Sequence, residues 1–215
     1  MKSLNSILAA LCFSAVSASA GSVLDGFEKI AEYNAKEAAQ EKPAWEAKNY
    51  ASGKITIKDG KVLIDNGENG RDGYGSVMLL SPDLSQLDNA KIALRAKLRI
   101  VKANDTDNVF ALSAASGNGT GGIKDTVVML APGKIVIGGV GTTRTTAIRQ
   151  GEPFECILLF DPMKCAVSVF IDGKKIAEAV KDLSAEKESV WFGDGSGTVS
   201  GAAEVESVEV YRLEK

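Results

Sequence analysis

The clearest pattern in the chain is the alternation in NAKIALRAKLRIV (Asn89–Val101). Ile92, Leu94, Ala96, Leu98 and Ile100 fall on one side, with Arg95, Lys97 and Arg99 on the other. Period two sustained over this length predicts a strand with one buried and one wetted face. Shorter runs predict further strands at Gly75–Leu80, Asn108–Ala114, Thr126–Leu130, Lys134–Gly138 and Thr143–Gln150. KITIKDGKVLI (Lys54–Ile64) reads as two strands about the turn dipeptide Asp59-Gly60. Turn residues recur every roughly 8–12 positions, the spacing of a sandwich or barrel. The N-terminal stretch reads otherwise. In LDGFEKIAEYNAKEAAQEKP (Leu24–Pro43), Asp25 and Glu28 make a capping-box pattern. Phe27, Ile30 and Ala31 form a helical stripe, and Pro43 marks a stop.

FECILLFDPMKCAVSVFIDGKK (Phe154–Lys175) predicts a hairpin around Asp161–Lys164. Pairing Phe160 with Cys165 sets Phe154 opposite Ile171, Cys156 opposite Val169 and Leu158 opposite Val167 on one apolar face. Ile157, Leu159 and Phe170 leave the other face apolar too, which predicts a strand pair covered on both sides.

From here to the C-terminus the chain resembles the second half of a laminin G-like domain of the concanavalin A-like lectin/glucanase superfamily. Phe170, Ile171, Asp172, Gly173 and Lys174 match its aspartate-glycine hairpin, and Phe192-Gly193 its strand end. Val205, Val208, Val210 and Tyr211 match its closing strand, with Glu206 where the family often has aspartate. The resemblance covers Phe154–Leu213 and implies a two-sheet antiparallel jelly-roll sandwich that binds glycan or protein. The expected architecture is therefore all-β with a short N-terminal helix: residues 1–20 a signal peptide, 21–49 helical, and 50–215 the sandwich.

The signal peptide rests on Lys2, the apolar stretch Leu4–Val16 and the small residues Ala18-Ser19-Ala20, with cleavage expected between Ala20 and Gly21. The apolar run is too short for a membrane span. The mature chain, without Lys2, carries 24 basic and 28 acidic residues, a net charge of −4. A mildly acidic chain with no basic cluster argues against nucleic acid and anionic membrane as partners. The sequence contains no histidine. Serine–histidine and cysteine–histidine catalysis and histidine-based zinc sites are thereby excluded.

Three further motifs invite a chemical reading. GDGSG (Gly193–Gly197) leads into a strand, whereas a phosphate cradle must lead into a helix, so it reads as a connection. Glu204, Glu206 and Glu209 resemble the carboxylate strand of laminarinase-type glucanases. However, the central aspartate is missing and the motif lies on the last strand instead of mid-chain. They read as the wet side of an edge or near-edge strand whose Val205, Val208 and Val210 face the core. The alternative is a carbohydrate-active enzyme using Glu204 and Glu209. DNGENGRDG (Asp65–Gly73) has the oxygen ligands of a calcium loop but departs from that spacing at Gly67 and Ser76, so it reads as turns. No cofactor or metal is expected, although a rim calcium would accord with the resemblance.

Sugar sites present aromatic rings beside polar groups. Tyr74, with Asp72 and Asn69 in the adjoining loop, is the expected ligand-binding set. Trp191 is expected in the core, and Trp45 between helix and sandwich. The functional expectation is an exported, non-catalytic binding or adhesion module, secreted, periplasmic or at the cell surface. Its partner is glycan or a cell-surface protein. The remaining alternative is a structural envelope protein.

Overall fold

The computed structural model describes residues 23–49, 53–65, 77–80, 90–103, 108–115, 126–138, 142–161, 164, 166–180, 189–193 and 201–213. Its larger antiparallel sheet is built on β6 (Lys91–Ala103) and the closing strand β15 (Gly201–Leu213), each 13 residues long. Beyond β6 lie β11 (Pro153–Asp161), β12 (Ala166–Ile171) and β13 (Lys174–Val180). Beyond β15 lie β4 (Lys61–Asp65), then β3 (Lys54–Lys58). β1 (Phe27–Asn34) pairs with the remaining length of that same β15 edge.

The smaller sheet runs in the order β10 (Thr142–Thr145), β9 (Lys134–Ile137), β8 (Thr126–Ala131), β7 (Phe110–Ala115), β14 (Ser189–Gly193), β5 (Val77–Leu80) and β2 (Glu46–Asn49). This is the two-sheet antiparallel jelly-roll sandwich that the laminin G-like resemblance implies, and one of the two architectures, sandwich or barrel, that the strand spacing allows.

Alternation builds the core. Ile92, Leu94, Ala96, Leu98 and Ile100 of β6 all turn inward, next to Val205, Val208 and Val210 of β15. Phe110 and Leu112, Val128 and Leu130, Ile135 and Ile137, and Val190 and Phe192 meet them from the smaller sheet. Asp59 and Gly60 both have positive φ, 51° and 72°, as the tight hairpin between β3 and β4 requires. Asp172 and Gly173 repeat that geometry between β12 and β13, with φ of 48° and 75°.

Two expectations need correction. The hairpin of β11 and β12 is shifted by two residues: Cys156 faces Ile171, Leu158 faces Val169 and Phe160 faces Val167. A slip of two preserves the faces, so the same side chains are buried; a slip of one would have inverted them.

The helix expected over Leu24–Pro43 is mostly strand. Phe27–Asn34 pairs with Ser207–Leu213, and helix α1 is confined to Ala35–Ala38. Its N-cap is Asn34, whose side chain accepts from the amides of Lys36 and Glu37. The register breaks between Lys29 and Ala31, so a β-bulge at Ile30 inserts one residue. That insertion brings the consecutive Ile30 and Ala31 both against the core.

Trp45 therefore packs a strand and not a helix. It is 1% exposed, its ring meets Tyr33 and Phe192 at 5.9 and 5.3 Å, and its Nε1 donates to the Glu32 carbonyl. Of the two placements expected of β15, edge or near-edge, the structure gives the second: it has neighbours on both sides, and one of them, β1, pairs among the described residues with β15 alone.

Candidate functional site

β15 has a second bulge, and it organises the surface. Val205 faces Leu98 and Ser207 faces Lys97, so Glu206 is the inserted residue. The insertion is what lets Val205, Val208 and Val210 all reach the core despite an odd first spacing. It also falls where β15 changes neighbours. β4 pairs as far as Val205, and β1 begins pairing at Ser207. Two contiguous depressions open there on the outer face of the larger sheet. One, of about 200 Å³, is lined by Lys61, Lys97, Arg99, Pro153, Phe154, Glu155, Glu204 and Glu206. The other, of about 500 Å³, lies between Asn34, Lys36, Gly60, Glu206 and Glu209. Lys97 and Glu206 border both.

Ion pairs fix the flanks of this cleft. At one end Glu204 accepts from Lys61 at 2.7 Å and from Arg99 at 2.6 Å. The hydrogen bond from Lys61, then that from Arg99, holds the Glu204 carboxyl below its ordinary range despite partial burial. At the other end Arg95 bonds Glu155 at 2.6 Å and Glu209 at 3.5 Å. Partial burial works against its charge, but those carboxylates still leave it more firmly protonated than usual. Glu209 also accepts from the Tyr211 hydroxyl at 2.8 Å and lies 3.7 Å from Lys29, which in turn pairs with Glu32 at 2.6 Å. Partial burial, then the Glu209 bond, pushes the Tyr211 phenol up. Lys97 and Glu206, between these clusters, form no ion pair within 4 Å among the described residues.

The arrangement does not fit a two-carboxylate glycosidase. Glu204 and Glu209 stand opposite Arg99 and Arg95, four positions apart on a regular stretch of β6. At about 3.4 Å per residue their α-carbons are about 14 Å apart. Glycosidase carboxyl groups, roughly 5–9.5 Å apart, must both turn from their strands toward one shared bond. Moreover, each is bonded to a different guanidinium, and a general acid needs a raised pKa where that of Glu204 is lowered.

The expected ligand set Asn69, Asp72 and Tyr74 lies outside the described residues, as does the GDGSG stretch beyond Gly193. β4, which leads into the Asp/Asn loop, ends at Asp65 beside Ala202. Among the described residues no three His, Cys, Asp or Glu side chains are grouped as metal ligands would be. Nor is any helix there long and apolar enough to cross a membrane. Trp191 is 9% exposed, as expected of a buried ring. However, its neighbours Val190 and Phe192 point into the core, so it lies on the outward face of the smaller sheet beside Ser113. Sequence reasoning missed Lys97 and Glu206 as a pair. The signal was present in the odd spacing from Val205 to Val208, which a strand can accommodate only through a bulge.

No family model matches the chain, and no curated protein matches it in sequence. Solved structures do match it in fold. A conserved carbohydrate esterase from the Shiga toxin-encoding bacteriophage phi24B superposes with a TM-score of 0.61 at 13% identity, covering 88% of this chain and 100% of its own. Peanut lectin gives 0.58 at 12% identity, covering 86% and 97%. Lectin II of Ulex europaeus gives 0.57 at 15% identity, covering 87% and 100%. The chain has the sandwich fold of the legume-type lectins.

Proposed function

We propose that this chain is an exported, non-catalytic glycan-binding module that takes sugar in the cleft at Glu206. The carrying observation is that cleft: charged hydrogen-bonding side chains, most of them fixed by their neighbours, arrayed on a lectin-type sandwich. Preorganised donors and acceptors are what recognition of a hydroxylated ligand requires, because little side-chain entropy is then lost on binding. Pro153, exposed at the wall, supplies an apolar surface for sugar C–H groups, while Phe154 beside it is buried in the core.

Lectin II of Ulex europaeus has also been solved with galactose, which supports sugar as the ligand class. Kinship with laminin G-like domains belongs to the same proposal. It rests on the aspartate-glycine hairpin at Asp172-Gly173 and the closing run to Tyr211. The esterase neighbour does not favour an enzyme. A histidine-activated serine cannot be assembled from a chain without histidine.

The test is a glycan array probed with the mature chain, with reducing-end release measured on every hit. Binding without release is expected. Release would make the chain an enzyme, and silence on the array would favour a protein-binding envelope component.

A further inference from the structure

From the distribution of charge in the cleft we infer that its ligand is an anionic sugar, held by Lys97 and Arg99 through a carboxylate or sulfate. The inference rests on the glycan-binding reading and narrows it. Beside Pro153 two cations, Lys61 and Arg99, share the single carboxylate of Glu204, while Glu206, which lines the same depression, pairs with neither. Lys97 adds an ammonium with no ion pair within 4 Å among the described residues, although its charge is felt by Glu32 of β1. The carboxylate directly opposite it across the strands, Glu155, is drawn off to Arg95. In the other cluster Arg95 and Lys29 face Glu155, Glu209 and Glu32.

The depression beside Pro153 is balanced in total charge, with Lys61, Lys97 and Arg99 against Glu155, Glu204 and Glu206, but its ion pairs leave the Lys97 ammonium uncommitted. Arg99 Nε is shielded from solvent and donates to nothing, a condition native proteins seldom leave standing. A carboxylate or sulfate placed beside Lys97 gives that guanidinium an acceptor to turn toward, in a charge-assisted bond. Glu206, at the bulge between the two depressions, is then left to accept from a hydroxyl of the adjoining sugar. A neutral sugar hydroxyl can accept from the same donors, but without the charge that strengthens the bond.

Isothermal titration with a tetragalacturonate, a sulfated galactan tetrasaccharide and neutral mannotetraose tests the inference. The anionic oligosaccharides should bind more tightly than the neutral one, with affinity falling as salt rises. Whichever of carboxylate and sulfate binds better identifies the group. Lys97→Met should weaken anionic binding by about tenfold or more and binding of the neutral oligosaccharide by much less. Lys175→Met removes the same charge from the surface of β13, away from the cleft, and should do neither. Neutral binding equal to or tighter than anionic binding would overturn the inference while leaving the glycan-binding reading intact. Anionic binding that survives Lys97→Met would overturn it too, by placing the site elsewhere. Binding of none of the three, with glycan-array hits also absent, would remove both readings.

Discussion

Replacing Trp45 with alanine tests whether the N-terminal segment is part of the sandwich or an appendage to it. The ring is 1% exposed and lies against Tyr33 of β1 and Phe192 of β14, so it connects the larger sheet to the smaller. Truncating a buried tryptophan costs about 3–5 kcal/mol. The variant also deprives the Glu32 carbonyl of the indole N–H that reaches it at 3.2 Å, a contribution of about 1 kcal/mol at most for so long a bond. A loss of about 4 kcal/mol corresponds to about 8–16 °C in melting temperature for a chain of this size. Trp45→Phe keeps most of the ring contacts and should lose only about 1–2 kcal/mol. Urea unfolding followed by near- and far-UV circular dichroism reads both values, with a single transition expected. A loss below about 1 kcal/mol for Trp45→Ala would refute the reasoning. So would an early separate transition of the N-terminal segment.

Other outcomes follow from the same geometry. Gly201 has φ of +154°, and a Cβ there would lie 2.6 Å from the Lys102 carbonyl oxygen. Gly201→Ala should therefore cost about 2 kcal/mol or more, and an unchanged denaturation midpoint would contradict this. The lowered Glu204 pKa means its ion pairs stabilise the fold above the ordinary carboxylate value, about 4.3. That contribution is lost as pH falls through the lower folded value. At pH 7 Glu204→Gln should cost under about 1 kcal/mol, and the difference from wild type should shrink toward about pH 3. A difference that persists in acid would show the pairs are irrelevant.

Burial pushes the Cys156 thiol well up, so it should resist thiol reagents in the native chain and react after unfolding without reductant. Cys165 lies outside the described residues, but Ala166 is five positions along β12 from Ile171, the partner of Cys156. At about 3.4 Å per residue that is about 17 Å, too far for a disulfide to the adjoining residue. Failure to find the Cys156 thiol after unfolding would contradict this register.

What could be read from the sequence followed the regularity of each strand. β6 pairs along its centre without interruption, and its alternation gave its buried face residue by residue. The hairpin of β11 and β12 kept its faces because the register error was even. The bulged strands were harder. Ile30 interrupts β1 and sets two consecutive residues, Ile30 and Ala31, against the core, so the alternation that marks a strand was broken. Glu206 interrupts β15 at the point where the cleft forms. The glutamates there were recognisable as solvent-facing. Their partners were not, since Lys61, Arg95 and Arg99 reach them from strands more than 100 residues away in the chain. Pairing of β15 along both edges likewise depends on strand order, which composition and periodicity do not encode.

The central claim is that sugar binds in the cleft at Glu206, and mapping amide chemical shifts during a titration tests it most directly. With the tightest-binding oligosaccharide from the array, the shifts should concentrate on Lys97, Arg99, Glu155, Glu204 and Glu206, with smaller changes at Asn34 and Lys36. Shifts confined instead to the outward face of the smaller sheet, at Ser113 and Trp191, would contradict the account.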